Sequence, residues 1–364
     1  MKRSRPVTLR SRLVRDLSLL VIGFGLLAVV VMAVGTRWAA RSLAEVIMGQ
    51  ALAVTESRLD GFFDGVEEHL AVIERQCTSG VLAVDPTDPA DADPETALAR
   101  GELDRIAILA PIIEASAAIS SIIVADDRGR EHLLMRMPEQ WQSRLLAVDE
   151  WPEARLRTWS ADAGTSVDAA ATGTVAREVI DYDPRRRPWF RGAMEVAPGR
   201  RHWTEPYRFF STGRLGMTVA VRHDDGASGG PARVVASDVL LDDITEFART
   251  LGVGERGVAA ILTADGRLVG LPGLPEFDDP AARDAAYLTR PEDLDLDLIV
   301  DAVAVRRVHA PDARATFRFT SGGEAWWGAS EPYRLRSGLV LRIAVLVPEE
   351  NLLGPLVGLR PAIA

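Results

Sequence analysis

Residues 120–129 read SSIIVADDRG, and residues 258–267 read VAAILTADGR. Each is a run of aliphatic and β-branched residues closed by an acidic, glycine-containing turn, the pattern of a strand entering a hairpin. The first predicts strands over Ser120–Ala125 and His132–Met137 around the turn Asp127-Arg128-Gly129. The second predicts a strand over Val258–Thr263, a turn at Asp265-Gly266 and a strand from Leu268 onward. Another pair of strings repeats in the same order: WTEPYRFFSTGRLGMTVAV from Trp203 and WWGASEPYRLRSGLVLRIAVLV from Trp326. Ordered similarity at this distance points to two tandem copies of one antiparallel-sheet module. The pairing sets Glu205 and Glu331 in matching places and predicts a structural turn at each, not an acid/base pair. Further strands are expected at 175–180, 215–222, 233–239, 316–319, 324–329 and 339–347. Helices are expected at 96–109, with Pro111 after its end, and at 242–251. Trp141–Leu156 reads as helix and loop, and 161–174 as a small-residue loop.

Upstream of the first module the sequence keeps helical spacing. No proline occurs between Pro6 and Pro86. Leu17 to Thr36 is free of charge, and 20 such residues make a helix about 30 Å long, enough to cross a hydrocarbon core. Lys2, Arg3, Arg5, Arg10, Arg12 and Arg15 precede it, which predicts a cytoplasmic N-terminus and an uncleaved anchor, with the body outside. Beyond the anchor two apolar rows follow a helix face: Leu43, Ile47, Ala51, Val54, and then Leu59, Phe62, Val66, Leu70, Ile73. The stripe is expected to slip by one residue across 55–58, where Gly61 and Gly65 also weaken the helix. Such a stripe packs on its own domain, on the same helix of a second subunit, or on both at different heights.

Composition excludes several classes. The formal net charge is -10, and six of the 42 basic residues lie in the first 15 positions, where there is no acid. The rest of the chain therefore holds 36 basic against 52 acidic residues, too acidic a body to offer nucleic acid a basic face. One cysteine, Cys77, excludes an intrachain disulfide or a thiolate zinc site. The five histidines share no metal-ligand spacing, and the acidic, proline-rich run at 85–95 does not match a calcium loop. Gly252-Val253-Gly254-Glu255-Arg256-Gly257 fits G-x-G-x-x-G, but a helix precedes it and a strand follows, the reverse of a dinucleotide site. No metal, cofactor or catalytic nucleophile is nominated, and the chain is not expected to be an enzyme.

The string with chemistry is DYDPRRRPWFRGA at residues 181–193. Two prolines stiffen it and exclude a helix across it. Arg187 and Trp189 are two apart and, on an extended stretch, share a side. An arginine fork matches a carboxylate, and tryptophan adds an apolar wall with one N–H donor. The pair reads either as the floor of a small-anion pocket or as a surface arginine beside a buried tryptophan. Asp238 shares a strand face with Val234 and Ala236, so a carboxylate ends an apolar row and needs a partner, either a structural arginine or a ligand.

Taken together, the hairpin, DYDPRRRPWFRGA, WTEPY, GMTVAV, RVVASDVLLDDI and the second similar module resemble the double Cache sensor domains of bacterial chemoreceptors, sensor kinases and cyclases. The resemblance covers roughly residues 38–353. It implies an α+β chain: a transmembrane helix, a long amphipathic helix, then two tandem PAS-like antiparallel-sheet modules. The implied organisation is a cytoplasmic basic tail (1–15), a transmembrane helix (16–36), a stalk helix (37–78), a membrane-distal module (79–250), a membrane-proximal module (251–350) and a C-terminal tail (351–364). It implies a homodimeric, membrane-anchored periplasmic sensor with no cofactor, binding an amino acid or related small carboxylate or amine in the distal module. Tyr182, Arg187 and Trp189 have the family's spacing and would hold the ligand carboxylate. Asp238 would pair with its ammonium, and Tyr207 would offer its hydroxyl or ring. Phe190 departs from the pattern, since tyrosine is common there. The proximal module lacks an arginine-proline-tryptophan string and is expected to be a spacer, or to bind something unrelated. The alternative is a Cache fold that only dimerises or receives a protein, which an apolar plug in the distal pocket would favour. Members of that family usually cross the membrane again into a signalling domain, and a second crossing is expected to start near Ala364.

Overall fold

The computed structural model describes residues 9–78, 82, 93–224, 230–251, 256–309 and 314–352. Most of the acidic run at 85–95, most of the G-x-G-x-x-G string and most of the C-terminal tail lie outside them. A single 70-residue helix, α1 (Leu9–Thr78), opens the chain. At 1.5 Å per residue it is about 105 Å long. Its first part is long and apolar enough to cross a membrane, and none of its most apolar stretch is buried. Further along, Ala44, Met48, Leu52, Thr55, Leu59, Phe63, Val66, Leu70, Ile73 and Cys77 are buried in steps of three and four. The expected slip is therefore absent. Leu43 and Val54 are exposed, and the buried row lies one residue on. Thr55 keeps its place in that row because its hydroxyl donates to the Ala51 carbonyl at 2.9 Å.

Nine strands form the first sheet: β1 (Ser121–Asp126), β2 (Arg130–Arg136), β3 (Gln140–Ala147), β4 (Ala154–Ser160), β5 (Thr174–Glu178), β6 (Arg201–Trp203), β7 (Tyr207–Arg208), β8 (Leu215–His223) and β9 (Arg233–Leu240). Their order is β5-β4-β3-β2-β1-β9-β8-β6, with β7 also on β8. The second sheet holds β10 (Val258–Thr263), β11 (Leu268–Gly270), β12 (Ala315–Ser321), β13 (Glu324–Arg334) and β14 (Val340–Pro348), in the order β11-β10-β14-β13-β12. Every pairing described is antiparallel. The tandem hairpins are borne out: β1–β2 turns through Gly129 and β10–β11 through Gly266, both at positive φ. Glycine adopts that conformation without a Cβ penalty.

Helices cover the sheets: α2 (Pro94–Ala115), α3 (Val167–Ala171), α4 (Pro188–Glu195), α5 (Leu241–Thr250), α6 (Pro280–Ala286) and α7 (Asp297–His309). α2 starts on an Asp93 cap and carries Pro111 inside it, where the sequence suggested an end. The small-residue stretch before β5 contains α3. Trp141–Leu156 is not helix: β3 fills its first half and β4 begins at its end. The residues of QWQSRLLA favour a helix by propensity, and tertiary pairing overrides it. Trp141 stacks on Trp159 across the strand pair at 6.2 Å. Behind them Glu102 of α2 is fully buried and accepts from Ser143 Oγ (2.8 Å), Arg155 Nε (3.2 Å) and Arg157 Nε (3.1 Å).

The second pair of repeated strings does not mark equivalent places. Tyr207 lies on the short edge strand β7, whereas Tyr333 lies inside β13. Glu331 is in the same strand, not a turn. Pro332 lies beyond the end of the β12 pairing at Ser330 and is opposite Arg342 of β14. α1 runs beside both sheets. The Phe63 ring meets Trp203 edge-on at 5.2 Å and stacks on Tyr333 at 5.9 Å, so one side chain touches both modules.

Candidate ligand pocket

One face of the first sheet packs on α1. On the other face Ile123, Leu133, Trp189, Phe190, Val234 and Ala236 belong to a separate small core. A pocket of about 730 Å³, its mouth included, lies beside that core. Tyr182, Arg187, Trp189, Tyr207 and Asp238 all line it.

The local chain direction at Arg187 differs from the extended stretch read from the sequence. Pro184–Arg186 make a 3-10 turn, Arg187 caps the next helix in an extended conformation, and Pro188 opens α4. Proline suits a first helical position, because its missing N–H would be unpaired there anyway. Trp189 and Phe190 then turn into the apolar core, with rings edge-on at 5.5 Å. Arg187 stays at the pocket wall. Its guanidinium carbon is 5.8 Å from the Tyr182 ring and 5.6 Å from the Tyr207 ring. It donates to the Arg208 carbonyl at 3.3 Å and forms no ion pair among the described residues.

Asp238 is 7% exposed and forms no ion pair among the described residues. Its Oδ2 accepts from Ser121 Oγ at 2.6 Å and its Oδ1 from Thr218 Oγ1 at 2.6 Å. With Thr218 donating to the carboxylate, the Tyr207 hydroxyl donates to Thr218 at 2.7 Å. Burial pushes the Asp238 carboxyl up to about 6, and the Ser121 and Thr218 hydrogen bonds pull it back down. The alternative of a structural arginine as its partner is not met among the described residues: the nearby Arg144 pairs instead with Glu131 at 2.7 Å, both buried.

Arg144, which lines the pocket, and its buried partner Glu131 are residues that the sequence reading missed. Glu131 Oε2 accepts from the Tyr182 hydroxyl at 2.7 Å, and Arg144 lies 4.3 Å above the Tyr182 ring. Arg144 also donates to Ser211 Oγ at 2.8 Å. The Tyr182 hydroxyl is therefore spent on Glu131, and its ring helps hold two guanidiniums. Alternation along β2 carries the missed signal: Glu131, Leu133 and Met135 share a face, a carboxylate at the head of an apolar row. Arg214, on the rim, pairs with Asp242 at 2.5 Å. With the Glu131–Arg144 and Arg214–Asp242 pairs satisfied, the lining offers a guest one anion, Asp238, and two cations without an ion pair among the described residues, Arg187 and Arg136, the latter donating to the Ala117 carbonyl at 3.4 Å. The pocket is open, not plugged. Phe209 lines it and packs on Gly216, where a Cβ would fall 2.2 Å from the ring.

Among the described residues no three His, Cys, Asp or Glu side chains are grouped to hold a metal. Residues 226–230 spell G-x-S-x-G; all but Gly230 lie outside the described residues, and the flanking elements are two antiparallel strands, β8 and β9, whereas a nucleophile elbow needs a strand followed by a helix.

Comparison with solved structures fixes the architecture. The ligand-binding domain of the Campylobacter jejuni chemoreceptor Tlp3, solved with 4-methylisoleucine, superposes with a TM-score of 0.52 at 10% identity, over 87% of this chain and 95% of that one. The fold is that of a double Cache domain. In the double Cache frame, the nine-stranded sheet is the first module and the five-stranded sheet the second. No family model matches the chain. Adenylate cyclase 1 of Rhizobium meliloti is 39% identical over 90 residues, 24% of this chain and 12% of that protein. The methyl-accepting chemotaxis protein PctB of Pseudomonas aeruginosa is 35% identical over 89 residues, 24% of this chain and 14% of that protein. The matches thus span only about an eighth of those relatives' own lengths.

Proposed function

We propose that the chain is the extracytoplasmic sensor part of a membrane-anchored signalling protein, and that its first module binds an amino acid or a related small carboxylate or amine. The observation that carries this reading is the pairing of opposite charges on one pocket. Asp238 holds a buried carboxylate on two hydroxyls, Arg187 holds a guanidinium near two tyrosine rings, and neither forms an ion pair among the described residues. A zwitterion satisfies both. Its carboxylate meets Arg187 and the Trp189 indole N–H, and its ammonium meets Asp238 with the Tyr207 ring close by. A buried charge without an ion-pair partner is costly, and a zwitterionic guest would relieve that cost at Asp238. The 4-methylisoleucine held by the similarly folded Tlp3 domain is consistent with this class.

The apolar start of α1 and the basic residues before it support a single inner-membrane crossing with the body in the periplasm. The exposed Leu43, Val46 and Val54 on the far side of α1 support a homodimer along that helix. Binding would shift the packing of the first sheet on α1, by no more than the ligand's differential affinity for the two states. In this reading the chain senses and does not catalyse.

The test is a thermal-shift screen of the full chain in detergent against amino acids, amines and small carboxylates. A ligand at 100 times its dissociation constant stabilises by about 2.7 kcal/mol, a shift of a few degrees. A shift that vanishes in Arg187→Ala supports the reading. A silent panel overturns it in favour of a dimerisation or protein-binding module.

A further inference from the structure

The second module has a pocket of its own. It lies on the face of β10, β14 and β13 beside α7, and measures about 930 Å³ with its mouth. Its position repeats that of the first. The turn glycines Gly129 and Gly266 align Ile123 with Ala260, and these two line the corresponding pockets. Register carries the match across the sheet. Ile123 pairs with Ala236 and Ala260 with Ala344, and two residues on, Ser121 pairs with Asp238 and Val258 with Leu346. Leu346 thus stands where the first module has its carboxylate. Thr218 pairs with Asp238, and Gly328 with Leu346, so the supporting hydroxyl is gone as well.

The walls are otherwise built to receive something. Leu262, Ile299, Val303, Phe317 and Leu346 supply an apolar lining. Three guanidiniums reach the pocket: Arg306 is buried, Arg342 half-buried, and Arg290 exposed with no ion pair among the described residues. Two carboxylates also line it. Asp265 is taken up by the Thr263 hydroxyl at 2.5 Å and by Arg267 at 2.9 Å, and Glu292 is exposed. Ser330, 1% exposed, lines the pocket too, and its hydroxyl has no hydrogen-bond partner among the described residues. A buried hydroxyl without a partner calls for an explanation.

We propose that this pocket is a second ligand site and that it takes a small monocarboxylate with an apolar body. The carboxylate meets the arginine side and accepts from Ser330, while the body packs on Leu262, Phe317 and Leu346. An amino acid is disfavoured, because its ammonium would face Leu346 in place of an aspartate. The proposal stands apart from the reading of the first module.

The experiment is calorimetry on the full chain in detergent, with Arg187→Ala included to silence the first pocket. Isovalerate and benzoate are the probes, and isobutylamine is the opposite-charge control. Saturable one-to-one binding of a carboxylate probe and none of the amine is expected. Ala302→Phe, which fills the gap under α7, is expected to weaken binding by about tenfold or more. Ser330→Ala removes only the hydroxyl, so it is expected to raise the dissociation constant about threefold or more without lowering the melting temperature. No saturable binding of either probe overturns the proposal. So does binding that ignores both substitutions.

Discussion

At the end of β9 the first module places Asp238 opposite Ser121 and Thr218, whereas at the same register the second places Leu346 opposite Val258 and Gly328. The central strands of both sheets run in the same order, β2-β1-β9-β8-β6 and β11-β10-β14-β13-β12. One scaffold thus carries two linings, and the alternating residues of three adjacent strands decide between them. The difference extends to the flank. The first sheet continues past β2 into β3, β4 and β5, and the second stops at β11. That extension brings Arg144 beside Glu131, which pairs that guanidinium and leaves Asp238, Arg187 and Arg136 as the pocket's charges outside an ion pair among the described residues.

The largest test of this comparison is Glu102→Ala. It leaves Arg155 and Arg157 buried without their shared carboxylate and is expected to cost about 3–5 kcal/mol. Hydrogen exchange should speed up in β3 and β4 and not in β10–β14. Uniform loosening of both sheets would show that the flank is not a separate device of the first module.

Asp238→Ala comes next. It removes the carboxylate that the second module never had, and is expected to weaken amino-acid binding by about 100-fold, or about 2.7 kcal/mol. Isothermal titration reads it directly. Unchanged affinity would mean that the two linings do not differ in the way that matters.

A smaller effect follows from pH. Burial holds the Asp238 carboxyl at about 6, so its charge is lost below that value. Affinity for an ammonium ligand is expected to fall by about tenfold per pH unit below 6 and to stay level above it. The empty protein responds with the opposite sign. The fold favours the protonated carboxyl, so this group's stabilisation is complete below 3.8 and is lost as pH rises towards 6. Both trends should vanish in Asp238→Asn, and a level affinity profile in the parent protein would count against ammonium binding.

The smallest is Thr218→Val, which cuts the link from the Tyr207 hydroxyl to Asp238. A loss of about 1 kcal/mol in binding is expected, with the pH midpoint moving up as one donor to the carboxylate disappears. A midpoint that stays put would leave the hydroxyl no part in tuning Asp238.

Much of this was readable from local pattern. The two hairpins show in their aliphatic runs and turn glycines, and Asp238 shows as a carboxylate ending the row Val234, Ala236. Glu131 obeys the same rule at the head of Leu133 and Met135 and was passed over, because no motif pointed at β2. Arg144 could not be seen once QWQSRLLA was read as helix; only the pairing of β3 with β2 brings it to Glu131. The shared EPY letters misled for a related reason. A three-residue string does not encode whether it lies on a short edge strand or inside a long one. On α1 two apolar rows run side by side, and the row that packs is chosen by the sheets, not by the helix.

Phe63 sits between Trp203 and Tyr333 on a helix that runs unbroken from Leu9. An unbroken helix fixes azimuth as well as distance. One residue inserted near Thr36 would turn both sheets by about 100° and lift them by about 1.5 Å relative to the apolar segment, whereas seven would return them almost to their starting direction. The heading of the pocket is thus counted in whole residues, like the teeth of a gear.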